Sequence, residues 1–232
     1  MNWNDFFLSS AYFGVGLSLL CYLIAVKIAN KFPYTILNPL LVSSLLVIGV
    51  LSLLNVDYDT YNISAKYLTY LLTPATVCLA VPMYRQIQVL KKNLAAILVS
   101  IFAGCLACAL TVLGLSVLME MDPMIYHSLQ PKSITTAIAM GISTEIGGNE
   151  TITVAVVIFT GLIGAMLAKT ICRLFKITHP VAVGLACGNS AHAIGTSKAL
   201  EIGELEGAMS SLSIVVAGVF TVILAPIMAR FM

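Results

Sequence analysis

Charged residues are scarce in this chain: Asp, Glu, Lys and Arg make up only 9% of its 232 residues. A soluble domain carries nearer to a quarter, so the scarcity excludes an ordinary soluble protein. The net charge of +2 is too small to predict binding to nucleic acid. Hydrophobic residues make up 59%, and the mean hydropathy is +1.01. This composition predicts a single integral-membrane domain over residues 1–232, with no separate soluble module.

The motifs of common enzymes and metal sites are also missing. The chain has no Walker loop, nucleophile elbow or zinc motif, so we expect no enzymatic activity, no cofactor and no metal. Its six cysteines are scattered through apolar stretches and predict no disulfide framework. Cys105 and Cys108 form C-x-x-C, but they lie in an apolar run without a nearby His. Packing therefore explains this pair better than metal or redox chemistry.

Long runs without charge are what the sequence has instead. A helix needs about 20 apolar residues to cross a bilayer, and five such runs are present. They lie between Asp5 and Lys27, Lys31 and Asp57, Lys92 and Glu120, Glu150 and Lys169, and Glu206 and Arg230; a shorter sixth lies between Lys66 and Arg85. The first run lacks a basic n-region and a cleavage site, so we interpret it as a retained helix. The fold class is therefore an all-α polytopic membrane protein with about six spanning helices.

Basic residues gather in three loops, which predicts that these loops are cytoplasmic. The loops contain Lys27 and Lys31; Arg85, Lys91 and Lys92; and Lys169, Arg173 and Lys176. By alternation the N-terminus and the loops at Asp57 and Asp122 lie outside.

Only one crossing fits between Asp122 and Lys169, so the segment from Pro123 to Gly148 must enter and leave on one face. Its charge-free core, Ser133 to Thr144, is about a dozen residues long and so predicts a re-entrant element.

The segment from Pro180 to Glu204 contains several glycines and predicts a second broken or re-entrant hairpin, entering from the inside. Its apolar run is long enough to cross, so a fold with eight spans is the alternative. A short repeat, E-I-G followed by Glu150 and E-I-G followed by Glu206, indicates two hairpin-plus-helix units of opposite orientation. Inverted repeats with broken helices are typical of secondary transporters. We therefore expect residues 123–232 to carry the site and residues 1–122 to act as a scaffold.

Polar residues are concentrated in these two broken segments. The candidate substrate-binding residues are Lys132, Ser133, Thr135, Thr136, Asn189, Ser190, His192, Gly195 and Thr196. A lysine, short hydroxyl groups and the amide groups of broken helix N-termini favour a small anion such as a carboxylate. His192 is the candidate for carrying a coupled proton because imidazole titrates near neutral pH, and Glu145 is a second candidate for ion coupling. Four alternatives stay open. Lys132 could reach the membrane surface, and the hydroxyl groups could bond only to their own or a neighbouring helix. His192 could be a satisfied packing residue, and Glu145 could cap a helix or mark the interface.

Several stretches carry specific motifs: L-Q-P-K-S-I-T-T-A-I-A from Leu129, the pair Gly147-Gly148, T-G-L-I-G-A from Thr160, G-N-S-A-H-A-I-G-T-S from Gly188, L-N-P-L-L from Leu37 and E-G-A from Glu206. Together they cover nearly the whole chain and resemble the LrgB/CidB family. One departure is visible, because Ala137 stands where the family motif often has Pro. We therefore expect a softer kink at this position.

The resemblance implies a multi-pass protein of the bacterial cytoplasmic (inner) membrane. It implies a secondary transporter of small monocarboxylates such as glycolate, glycerate, pyruvate or lactate, similar to the membrane half of the plastid glycolate/glycerate translocator. The alternative is a holin/antiholin-like protein that modulates murein hydrolase activity and autolysis. The expected partners are the carboxylate, the lipid bilayer, a second copy in a homodimer and a small LrgA/CidA-type membrane protein. Polar residues confined to two broken segments favour the carrier, because a lesion-forming protein needs amphipathic faces along whole helices.

Overall fold

The computed structural model describes residues 10, 12–32, 37, 39–78 and 80–232, and in this part the regular elements are all helices. The chain forms two compact units, residues 1–78 and 79–232. The described helices of the first unit are α1 (Phe13–Lys31), α2 (Pro39–Leu54), α3 (Tyr58–Thr69) and α4 (Leu72–Cys78). Those of the second are α5 (Ala80–Arg85), α6 (Ile87–Lys92), α7 (Leu94–Leu118), α8 (Pro123–Leu129), α9 (Thr136–Glu145), α10 (Glu150–Leu174), α11 (Pro180–Ile202) and α12 (Glu204–Met228), followed by the 3-10 helix Ala229–Phe231.

In the first unit α1 packs against α2 and α3. A glycine allows the close contact with α3, because a Cβ at Gly14 would collide with the carbonyl group of Tyr61. The Gly14 amide donates to Ser64 Oγ at 2.6 Å, and the hydroxyl groups of Ser18 and Tyr61 are 2.7 Å apart. Small residues and hydroxyl pairs of this kind are what hold helices together in a membrane.

Four helices of the described part are long and apolar enough to cross a bilayer: α1, α7, α10, and α12 with its 3-10 extension. The run between Lys31 and Asp57 contains α2, which has 16 residues. The sixth predicted run contains α4 and α5, and Leu79 between them lies outside the described residues. The beginning of the first run, from Asp5, lies outside the described residues.

In the second unit the segment from Ser128, near the end of α8, to Ser143, near the end of α9, forms a hairpin whose two ends lie at one level. Thr153 of α10 fixes that level, because its hydroxyl group lies 2.7 Å from Ser143 Oγ and 3.0 Å from the Ser128 carbonyl oxygen. At the other end, Ser133 Oγ lies 3.2 Å from Cys108 Sγ, near the middle of α7. The ten residues of α9 rise about 15 Å, which is half of a hydrocarbon core of about 30 Å. The hairpin therefore has the depth of a re-entrant element.

The tip of this hairpin is non-helical between the end of α8 and Thr136. The break is present although Ala137, where we expected a softer kink, is not a proline. Proline is thus not required for the chain to leave the helix here.

α11 is broken in its middle and folds back on itself. Ala191 (φ −134°, ψ 16°) and His192 (φ 40°, ψ −132°) are not helical. A Cβ at Gly195 would collide with the carbonyl oxygen of Cys187. In a straight helix these two residues would be about 12 Å apart, so the halves before and after the break lie side by side.

Contacts with α12 show that the two halves of α11 lie at one level. A Cβ at Gly184, in the first half, would meet the carbonyl group of Glu206. In the second half, Leu200 packs against Gly207, with Leu200 Cγ 2.7 Å from a Cβ built there. Residues at both ends of α11 therefore contact the first turn of α12, and the break at His192 is the tip of a second hairpin.

The helices that follow the two hairpins run in opposite directions. α10 and α12 have 25 residues each. The end of α12 lies beside α8, where the Tyr126 hydroxyl group donates to the Met228 carbonyl group at 2.8 Å. Gly148, just before α10, packs against the same region, because a Cβ there would lie 2.8 Å from the Ser128 amide nitrogen. The start of α10 is thus next to the end of α12, and the two hairpin-plus-helix units are antiparallel.

Candidate functional site

The tips of the two hairpins meet at a cavity of about 750 Å³, here called the main cavity. It lies between α7, α10 and α11. Its walls are formed by Gly104, Ala107, Cys108, Thr111, Lys132, Ser133, Val156, Phe159, Thr160, Ile163, Gly164, Leu167, Ala168, Ile171, Cys172, Ala186, Asn189 and Ser190. Lys132 and Ser133 come from the first hairpin tip, while Asn189 and Ser190 come from the second. Residues about 55 positions apart in sequence thus line one space.

The first tip places a cation beside a hydroxyl group. The Lys132 ammonium group donates to Ser133 Oγ at 3.4 Å. Two ion pairs occur among the described residues, Arg85–Glu204 and Lys198–Glu201, so neither neutralises Lys132. Lys132 is half-buried in a mostly apolar cavity, where a charge is costly without a counterion. An anion in this cavity would neutralise the charge of Lys132.

The second tip contributes an amide held by α7. Asn189 Nδ2 donates to the Ile101 carbonyl group at 3.4 Å, and its Oδ1 accepts from the Cys105 thiol at 3.3 Å. Gly104 makes room for this side chain, because a Cβ there would collide with Asn189 Nδ2. The two cysteines of the C-x-x-C pair thus contact the two different tips, Cys105 at Asn189 and Cys108 at Ser133.

Asn189 also separates the main cavity from a second cavity of about 450 Å³ between α7 and α11. Gly104, Ala186 and Asn189 line both spaces. The second cavity extends to Asn93 and His179, which lie next to the basic loops at the ends of α6 and α10. The Asn189 side chain, seated on Gly104, is therefore the partition between the two cavities.

α10 holds the break in α11 in place. His192 has a positive φ, a conformation that non-glycine residues rarely adopt and that costs on the order of 1–3 kcal/mol. Its buried ring places Nε2 3.0 Å from the Val157 carbonyl group. Gly161 and Gly164 provide the space, because a Cβ at Gly161 would lie 2.6 Å from His192 Nε2 and one at Gly164 would lie 2.6 Å from Ala191 Cβ.

The other candidate residues lie around the cavity rather than in its walls. Thr135 and Thr136 are half-buried at the start of α9. Gly195 packs between the halves of α11, and Thr196 is buried with its hydroxyl group 2.7 Å from Ser210 Oγ. Glu145 is exposed at the end of α9.

Sequence reasoning missed the walls contributed by α7 and α10. Gly104, Cys108 and Thr111 lie in an apolar run with no polar cluster to distinguish it, and Thr160 lies in another. Among the described residues no group of three His, Cys, Asp or Glu side chains suits a metal ion.

The amino-acid sequence matches a known protein family. The model of the LrgB-like family matches residues 18–231. The chain belongs to the LrgB-like family. It is 39% identical over 217 residues to the "uncharacterized protein YwbG" of Bacillus subtilis (strain 168), which covers 93% of this chain and 96% of that protein.

Two further relatives have a name that describes a function. The chain is 35% identical over 221 residues to the "antiholin-like protein LrgB" of Bacillus cereus (strain B4264), which covers 95% of this chain and 96% of that protein. The same values hold for the "antiholin-like protein LrgB" of Bacillus anthracis (strain CDC 684 / NRRL 3495). No solved structure matches. The LrgB-like family and the apolar helices together identify a polytopic α-helical membrane protein.

Proposed function

We propose that the chain is a secondary transporter of small monocarboxylates, of the glycolate, glycerate, pyruvate or lactate type, in the bacterial cytoplasmic membrane. One observation supports this proposal most directly: Lys132, which neither of the described ion pairs neutralises, faces a cavity where two broken helical hairpins meet. Broken helices that meet between antiparallel units are the arrangement that secondary transporters use for anionic substrates.

The binding mode follows from the donors at the two tips. The carboxylate would pair with the Lys132 ammonium group and accept hydrogen bonds from Ser133 and Ser190. Ser190 is exposed, while its hydroxyl group donates to the Ala186 carbonyl group at 2.7 Å, so a substrate would compete for that proton. The first-turn amide groups of α9, which have no partners within the helix, add the positive end of its dipole at the first tip.

The transport path would run from the main cavity past Asn189 to the second cavity. By the positive-inside rule the second cavity faces the cytoplasm, because it ends next to the basic loops. We propose that residues 123–232 provide the two moving hairpin-plus-helix units, with α7 as the surface on which the tips rest. Proton coupling through His192 stays a prediction; in this structure its ring supports the break in α11.

An antiholin-like role is the second candidate, and the name of two relatives favours it. Such a role, with an LrgA/CidA-type partner or a homodimer, would not require a carboxylate site. Uptake by the purified protein in proteoliposomes and lysis of a strain that lacks the gene distinguish the two candidates.

Uptake of labelled glycolate, pyruvate and lactate into proteoliposomes tests the transporter. We expect uptake by the purified chain, loss of uptake in Lys132→Ala, and normal uptake in the control Lys198→Ala, because Lys198 pairs with Glu201 on an exposed surface. Absence of uptake of all three acids, together with altered lysis in a deletion strain, would contradict the transporter and favour the antiholin-like role.

A further inference from the structure

A third, much smaller cavity adjoins the main one. Its volume is about 10 Å³, and it is lined by Cys105, Cys108, Ala109, Gln130, Ser133, Ile134, Asn189, Ala217, Thr221, Leu224 and Ala225. Cys108, Ser133 and Asn189 line both this small cavity and the main cavity. Because about 10–15 Å³ accommodates one water-sized group, the small cavity has room for a single oxygen atom beside the proposed carboxylate site.

Gln130 gives this cavity an unpaired polar group. Its side chain is 4% exposed, and within the described part of the chain its Nε2 has no hydrogen-bond partner. The Tyr126 hydroxyl group, which donates its proton to the Met228 carbonyl group at 2.8 Å, also interacts with the Gln130 side chain, but its oxygen can accept only one of the two Nε2 protons, so at least one of them is left for a ligand or water. A buried amide without a partner is destabilising, so buried side-chain amides are normally paired with protein, water or a ligand.

Ser133 connects the small cavity to Lys132. Its Oγ lies 3.4 Å from the Lys132 ammonium group and lines both cavities. A carboxylate that is bound at Lys132 and Ser133 would therefore have its neighbouring carbon next to the small cavity. An oxygen atom on that carbon would reach the Gln130 amide, with the Thr221 side chain as a further polar neighbour.

We propose that Gln130 is a substrate-binding residue, and that its amide in the small cavity selects carboxylates with an oxygen substituent on the carbon next to the carboxylate. This inference rests on the proposed function and specifies the substrate class of the same site. A hydroxyl or keto oxygen would pair the buried amide, whereas an unsubstituted acid would leave it unpaired. A site with a buried partner for a substrate oxygen discriminates strongly against analogues that lack it.

Calorimetric titration of the purified full chain with glycolate and acetate tests the inference. We expect glycolate to bind at least about tenfold more tightly than acetate, which is the range for pairing one buried donor. In Gln130→Leu the two acids should bind with similar affinity, and acetate binding should be retained because Lys132 remains. The control Gln88→Leu changes an exposed glutamine and should keep the wild-type ratio of glycolate affinity to acetate affinity.

The outcomes separate this inference from the proposed function. Equal affinity of the wild-type chain for both acids would overturn the role of Gln130, as would an unchanged ratio in Gln130→Leu, while leaving the transporter in place. No binding of either acid to the wild-type chain would overturn the proposed function itself. If Gln130→Leu does not fold, the wild-type ratio and the shorter variant Gln130→Asn, which should lower that ratio, decide the question.

Discussion

At the scale of single residues, the charge of Lys132 and the small size of Gly104 determine the chemistry and the shape of the main cavity. Lys132 follows the broken end of α8, and its position in a polar island of an apolar chain was sufficient to predict it as a candidate. Gly104 could not be predicted in the same way, because the residue that meets it, Asn189, is distant in sequence. Which apolar helix faces a hairpin tip is decided by tertiary packing.

Replacing the charge of Lys132 should weaken carboxylate binding more than any other single change. Lys132→Ala removes one partner of a buried charge pair and should cost about 2–5 kcal/mol, or more than tenfold in affinity. Lys132→Arg should restore binding only in part, since the planar guanidinium group differs in shape from an ammonium group. Calorimetric titration with glycolate measures the affinity of both variants. An unchanged affinity in Lys132→Ala would place this side chain outside the binding site.

Adding one methyl group at Gly104 should disturb the partition between the cavities. In Gly104→Ala the new Cβ collides with Asn189 Nδ2, so the amide must leave its contact with the Ile101 carbonyl group. We expect uptake to fall at least about tenfold through misplacement of the site, as small displacements of binding groups do. The control is Gly114→Ala on the same helix, where a Cβ would have nothing within 4 Å. Equal uptake rates in the two variants would contradict the role given to Asn189.

At the scale of elements, the two hairpins were predictable to different degrees. The first followed from the positive-inside alternation and from the short core between Ser133 and Thr144. The second run was long enough to cross, and only the fold-back at His192 and its contacts with α12 identify a hairpin.

The second hairpin tip should depend on the small residues of α10. In Gly164→Ala the added Cβ would lie 2.6 Å from Ala191 Cβ, so the break must shift away from α10. Overpacking of this kind costs about 1–3 kcal/mol, and we expect a lower melting temperature in detergent. Gly141→Ala is the control, because a Cβ there would meet nothing within 4 Å. A melting temperature as high as that of the control would show that α10 does not hold the tip.

At the scale of the whole molecule, family membership and architecture agree on a polytopic membrane protein, while the substrate remains our proposal. Composition and charge-free runs were sufficient to predict an integral-membrane protein of the all-α class. The cavity was not predictable in detail, since 13 of its 18 lining residues belong to α7 and α10, whose residues look like ordinary lipid-facing sequence. The antiparallel repeat of hairpin plus helix, which a four-residue match indicated, is visible in the contacts of Tyr126 and Gly148.

The central claim, that both tips line one carboxylate site open to each side in turn, is tested most directly by substrate protection of one cysteine. Ser190→Cys would be placed in a chain whose six native cysteines have been replaced and which retains uptake. We predict that membrane-impermeant maleimides label this position from both sides, and that glycolate slows labelling unless Lys132→Ala is also present. Labelling that glycolate does not affect, or that Lys132→Ala leaves equally protected, would contradict the shared site.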